Sequence, residues 1–141
     1  MTENSRMIFC CGCQCEVTAR LTDGSEIYPH RRDLGGLPFW KCDACGNYVG
    51  CHHKTNNRTR PLGNIPTAEL RKARNHIHAI LDPLWKDKVI PRGALYGRLK
   101  DRLGYVYHTA EIKTIEEARV VYRQVQEIKK DLQEKPWRWK Q

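Results

Sequence analysis

The 141-residue sequence predicts an α+β protein, in which an N-terminal ribbon of short antiparallel strands packs on a C-terminal helical bundle. Three observations carry that expectation. Two cysteine pairs, Cys10-x-x-Cys13 and Cys42-x-x-Cys45, stand in the first third of the chain with 28 residues between them. Short apolar segments flank the pairs and are punctuated by Asp23-Gly24 and Leu34-Gly35-Gly36. From Thr67 onward the apolar residues recur at helical spacing instead. The expected organisation is a ribbon over residues 1–53, a basic loop or linker over 54–66, a helical part over 67–135 and a basic, aromatic tail over 136–141.

The cysteines supply the chemistry of the ribbon. A Cys-x-x-Cys turn presents two thiolates to one ion, and zinc favours four such ligands in a tetrahedron. Cys10, Cys13, Cys42 and Cys45 are therefore candidate ligands of a structural Zn2+, making the front of the chain a zinc ribbon. The gap between the pairs exceeds the roughly 15–20 residues common in such patterns, and its own turn signals allow a long hairpin to fill it. Seven cysteines, an odd number, fit a secreted disulfide framework poorly. The start, Met1-Thr2-Glu3-Asn4-Ser5-Arg6, lacks an apolar export core, so reduced thiols in the cytoplasm are expected. The first 60 residues are poor in large aliphatic side chains and should depend on the metal for their shape. No apolar run approaches the roughly 20 residues of a membrane span.

The elements follow in order. Met7-Ile8-Phe9, Val17 to Leu21, and Ile27-Tyr28 after the Asp-Gly turn read as strands. Residues 29–38 form a polar, basic loop. Phe39-Trp40-Lys41 leads into the second cysteine turn, and Tyr48 to Cys51 leaves it as a further strand. Residues 54–66, rich in Asn, Arg and Pro, form a linker or a loop laid over the surface. Thr67 caps a helix whose apolar positions are Leu70, Ala73, Ile77, Ile80, Leu81 and Leu84. Pro83 should interrupt it, with Asp82 capping a new short helix. Another helix runs from Ala94 through Leu103 and stops at Gly104, and Tyr105-Val106-Tyr107 reads as a short strand. Thr114-Ile115-Glu116-Glu117 reads as a capping box opening the last helix. Its apolar stripe is Ala118, Val121, Tyr122, Val125, Ile128 and Leu132.

Charge is concentrated. Of the net +9, residues 54–102 carry +8, with twelve Lys and Arg against four Asp and Glu. A concentrated positive field attracts polyanions, nucleic acid first among them, although it also suits an acidic protein. Candidate phosphate contacts are His30, Arg31 and Arg32 in the ribbon loop, Lys54, Arg58 and Arg60 in the insert, and Arg71, Lys72 and Arg74 on the first long helix. Trp137 and Trp139 could stack on unpaired bases. A second candidate site is Cys51 and His52 with His78 and Asp82, the last two sharing a helix face at i and i+4. Such a group would suit a metal or a Cys–His nucleophile. Each member also has an ordinary structural role: a buried thiol, a hydrogen-bonded imidazole and an N-cap.

The order of several motifs suggests a family. Cys-Cys-Gly-Cys at 10–13, Cys-Asp-Ala-Cys-Gly-Asn-Tyr-Val-Gly-Cys-His at 42–52, Arg-Pro-Leu-Gly at 60–63, and Glu-Leu-Arg-Lys-Ala-Arg running on to His78 and Asp82-Pro83-Leu84-Trp85 resemble a zinc-finger-containing (zinc-ribbon) family of unknown function. A fainter match covers Arg92 to Leu99, Gly104 and His108. The family is found mostly in bacteriophages and prophages, so the resemblance implies a phage or mobile-element origin and a zinc ribbon fused to a helical part. It implies no activity. This chain departs from the pattern in the extra cysteines at 11 and 15 and a longer basic insert at 53–60. Cys13-x-Cys15 is therefore an alternative first pair.

Three functions are compatible with these residues. The first is a zinc-binding protein that docks on single-stranded or duplex nucleic acid. The second is an inhibitor of a host protein complex, acting against host defence or in host takeover. The third is a metal-dependent nuclease or hydrolase built on the second candidate site. No phosphate-binding P-loop, Gly-x-Ser-x-Gly or His-Glu-x-x-His is present, so the sequence favours binding over catalysis. The apolar stripe of the last helix could pair two copies into a homodimer, although such stripes more often fill the protein's own core.

Overall fold

The computed structural model describes residues 4–139, which form two compact units divided after Glu69. The architecture is α+β, with a four-stranded antiparallel sheet in the first unit and three long helices in the second. Lys140 and Gln141 of the expected tail lie outside the described residues.

The sheet is a meander of β1 (Ser5–Cys10), β2 (Cys15–Asp23), β3 (Pro38–Lys41) and β4 (Tyr48–Gly50), each paired with the next. Alternation along the strands sorts their side chains onto two faces. Ile8, Cys10, Ala19, Trp40 and Val49 point inward and join Cys42, Cys51 and Ile65 in the ribbon core. Phe39 and Tyr48 fall on the opposite face, because each neighbours an inward residue in its strand.

Two expectations fail in the β2–β3 connection. Ile27-Tyr28 is no strand, and Asp23-Gly24 is no hairpin turn. β2 runs on to Asp23, whose carboxylate then accepts from the amides of Ser25 and Glu26 at 3.0 and 3.3 Å and caps a single helical turn, α1 (Gly24–Ile27). An aspartate that satisfies the orphan donors of a helix start stabilises helix where the sequence pattern suggested strand. Gly24 permits the close return of the chain, since a Cβ there would lie 1.7 Å from the Leu34 carbonyl oxygen.

Residues 54–66 lie on the ribbon. Ile65 is fully buried and its backbone bonds to Phe9 and Cys11, while the Trp40 indole donates to the Thr59 carbonyl at 2.6 Å. Without Ile65 the core would contain few large aliphatic side chains.

The second unit holds α2 (Ala68–Lys86) from Leu70 onward, α3 (Arg92–Leu103) and α4 (Ile115–Glu134). α2 passes unbroken through Pro83, contrary to the expected interruption. Proline removes one backbone bond, but Leu81 before it and Leu84 after it are both buried, and their packing holds the helical path. Asp82 is consequently a mid-helix carboxylate and not an N-cap. Gly104 ends α3 in the left-handed region at φ 84°. Tyr105–Tyr107 is not a strand; a 3-10 turn at Thr109–Glu111 follows it, with Tyr107 buried and bonded to Thr109. Thr114 caps α4 by accepting from the Glu117 amide at 3.1 Å, and Glu117 reaches back to the Lys113 amide, one residue earlier than a capping box requires.

In α4 the residues Ala118, Val121, Val125, Ile128 and Leu132 are buried within the unit. Tyr122 is 36% exposed, having turned about 100° from Val121 around the helix, and so leaves the expected stripe. The stripe thus fills the core of its own unit. Arg102 of α3 clamps the outer side of α4 through Gln124, Glu127 and Asp131 at 2.7–3.1 Å.

Candidate metal centre

The two cysteine turns have the same construction. In the first, the Gln14 amide donates to the Cys10 carbonyl at 2.8 Å and Gln14 takes φ 57°. In the second, the Gly46 amide donates to the Cys42 carbonyl at 2.7 Å and Gly46 takes φ 81°. Each turn is thus a one-turn loop closed by a left-handed residue four positions after its first cysteine. This repeat identifies Cys10 and Cys13 as the counterparts of Cys42 and Cys45.

The four sulfurs converge. Cys10 and Cys45 lie 3.4 Å apart, Cys13 and Cys42 lie 3.7 Å apart, and all four are within 4.8 Å of one another. Zinc–thiolate bonds of about 2.3 Å in a tetrahedron put the sulfurs about 3.8 Å apart, so the cluster has the dimensions of a zinc shell. Both short distances cross between the turns, so an ion held here ties the β1–β2 turn to the β3–β4 turn. The donor set, four thiolates with no open position, suits a structural zinc and not a catalytic one.

The remaining cysteines are directed elsewhere. Cys11 is buried and its thiol donates to the Asn64 side-chain oxygen at 3.4 Å. Cys15 is exposed and opposes Cys10 across the strand pair. The alternative pair Cys13-x-Cys15 therefore gives way to Cys10 and Cys13. Asn47, which sequence reasoning passed over, donates to the Cys45 sulfur at 3.2 Å. Its place directly after the left-handed Gly46 was the available signal. Gly12 leaves room for that contact, since a Cβ there would lie 2.5 Å from the Asn47 side-chain nitrogen.

Without a cation the thiols compete for protons. The hydrogen bond from Cys42 and, after it, burial push Cys13 up to about 12, and burial likewise raises Cys10. Burial also opposes ionisation of Cys45, but the Asn47 backbone and the neighbouring thiols outweigh it and bring this group down to about 7. One sulfur thus ionises readily while others hold protons that a divalent cation must displace.

The other candidate residues are placed as follows. Cys51 sits in the ribbon core, where burial pushes its thiol up to about 11. His52 is half-buried and its backbone bonds to Arg60. His78 and Asp82 belong to the second unit, paired at 3.2 Å, with Lys86 and the Trp85 indole also on the carboxylate at 4.0 and 3.4 Å. Among the described residues, the set of ligand atoms that converges is the four-cysteine cluster.

The basic candidates divide. His30, Arg31, Arg32, Lys54, Arg58 and Arg60 are exposed in the first unit. Arg31 is engaged by Asp33 at 2.7 Å, and Arg58 donates to the Gly36 carbonyl at 3.0 Å. In the second unit Lys72 is exposed and Arg71 half-buried, but Arg74 is 7% exposed and donates to the Ile112 carbonyl. Its charge is spent inside the unit, which removes it from the candidate phosphate contacts. Trp139 is 49% exposed, whereas Trp137 is half-buried with the Arg98 guanidinium 5.6 Å from its ring centre. No described helix is long and apolar enough to cross a membrane.

No curated protein and no solved structure matches the chain. A match does exist at the level of families, with one described as a zinc-finger-containing domain, and it extends over residues 6–131, from β1 well into α4. Both cysteine turns and the sulfur cluster they build fall inside that span, and on this ground the chain belongs to the zinc-finger-containing domain family.

Proposed function

We propose that this protein acts by binding nucleic acid through a basic rim on its zinc ribbon, the metal serving to hold that rim in shape. The supporting observation is the bond from Arg58 to the Gly36 carbonyl. It joins the 53–60 insert to the 29–37 loop, two basic segments that are separate in sequence, on the same unit. Among the described residues no carboxylate pairs with Arg32, Lys54, Arg58 or Arg60, so their charges remain available to phosphates. The second unit carries most of the net charge. Residues 70–141 hold 17 Lys and Arg against 9 Asp and Glu, a net +8, while residues 1–69 hold 8 against 7, a net +1. Phosphate contacts of this kind supply affinity with little sequence preference.

A titration of zinc-loaded protein with a short single strand and a short duplex, repeated across a salt series, tests the reading. Binding should weaken steeply as salt rises. Replacing Lys54, Arg58 and Arg60 together by Ala should lower the slope of log affinity against log salt by about two to three. Absence of binding at low salt, or a slope unaffected by the triple substitution, would overturn the assignment of the rim.

A further inference from the structure

The outer face of the ribbon sheet carries an aromatic cluster that the core does not need. Tyr28, Phe39 and Tyr48 meet edge to face, with centroids 5.6–5.9 Å apart and interplanar angles of 69–88°. The Tyr28 and Tyr48 hydroxyls share a hydrogen bond of 2.6 Å, which fixes both rings. All three rings are half-buried, and none belongs to the core on the opposite face, where Trp40 and Val49 point. Gly50 stands opposite Phe39 in the sheet, and a Cβ there would lie 3.8 Å from that ring. The strand position opposite Phe39 therefore has no side chain of its own, and the Leu62 side chain approaches the same place, 3.5 Å from that Cβ.

Around the cluster, Glu26 and Asp43 pair with Arg20 and Lys41 on the sheet, and the basic loop lies on the other side. His30 packs on Tyr28 at 6.5 Å and begins the basic loop, and Arg58 is anchored at Gly36 of that loop. Half-buried aromatic rings beside a basic loop match the two halves of an unpaired nucleotide, a flat base and a phosphate. In a duplex the bases are stacked on each other and cannot reach such rings.

We infer that Tyr28, Phe39 and Tyr48 form a base-stacking platform, and that the ligand of the ribbon is single-stranded nucleic acid. This rests on the nucleic-acid reading above and adds the strandedness and the residues that read it. The rings give affinity for any base, while the rim orients the backbone across the sheet.

The test uses zinc-loaded full-length protein and two probes, an oligothymidine of about 12 nucleotides and an abasic strand of the same length. The oligothymidine should bind about tenfold or more tightly than the abasic strand, the effect of stacking one base or more. Phe39→Leu, which keeps an apolar side chain but loses the ring, should abolish most of that difference. Equal binding of the two probes, or a difference untouched by Phe39→Leu, overturns the platform while leaving nucleic-acid binding intact. Binding of neither probe overturns the nucleic-acid reading itself. If the variant fails to load zinc, photo-crosslinking of the unaltered protein to a 5-iodouracil strand decides. Adducts on Tyr28, Phe39 or Tyr48 support the platform, and adducts confined to Trp137 or Trp139 overturn it.

Discussion

Cys10 and Cys15 face each other across β1 and β2, yet only one of them is a ligand, because the turn between them aims Cys10 and Cys13 at Cys42 and Cys45. Substitution should separate the two roles. Cys10→Ser or Cys45→Ser should abolish stoichiometric zinc binding, whereas Cys15→Ser should leave one zinc per chain, both read by metal analysis of purified protein. The pH dependence follows from the thiols. Cys13 is held up at about 12 by Cys42 and by burial, so its proton is displaced when metal binds. Proton and metal compete for the same sulfur, so affinity must fall as pH falls. A chromogenic zinc chelator should record a loss of at least about tenfold in affinity per pH unit on acidification below neutrality. An affinity independent of pH would mean that the ligands are already ionised in the free protein.

At the scale of elements, the helices show where local rules lose to packing. Pro83 costs α2 one backbone bond, and Pro83→Ala should stabilise the second unit by about 1 to 3 kcal/mol, seen as a rise in its thermal midpoint. Thr114→Ala should act in the other direction by about 1 kcal/mol, since it strands the Glu117 amide at the start of α4. In the ribbon, α1 acts as a bracket. Glu26 on it receives Arg20 at 2.8 Å and Lys41 at 2.9 Å, connecting the turn to β2 and β3 across the outer face. These groups are substantially exposed, so the bracket sets geometry more than it adds stability.

For the whole molecule, the two units differ in what holds them together. The second unit buries Leu70, Ile77, Leu81, Ile90, Leu95, Leu99, Val125 and Ile128 among others, an ordinary aliphatic core. The ribbon core counts Cys10, Cys42 and Cys51 among its eight members, two of them metal ligands. Removal of zinc by a strong chelator should therefore melt the first unit selectively. Hydrogen exchange should show loss of protection across residues 5–65 and retained protection in α2, α3 and α4, with most of the helical far-ultraviolet signal preserved. Loss of both units together would show that the helices depend on the ribbon.

The sequence by itself determined that two cysteine turns build one metal site, the α+β class and most of the strands and helices, because thiol spacing and apolar periodicity are local properties of the chain. It also carried the last helix and its cap. It did not determine that Asp23 ends a strand by starting a helical turn, that α2 continues through Pro83, or that Arg74 is buried. The first and last depend on partners distant in the chain, Leu34 and Leu37 around Gly24 and the Ile112 carbonyl beside Arg74, while the helix holds through Pro83 because Leu81 and Leu84 beside it are buried. The choice of Cys10 with Cys13 over Cys13 with Cys15 was likewise tertiary, since only the position of the second turn shows which sulfurs can surround one ion. Tyr28, Phe39 and Tyr48 belong with these. They read as isolated aromatic residues along the chain, and only the meander of the sheet, with the loop after α1, gathers them on one face.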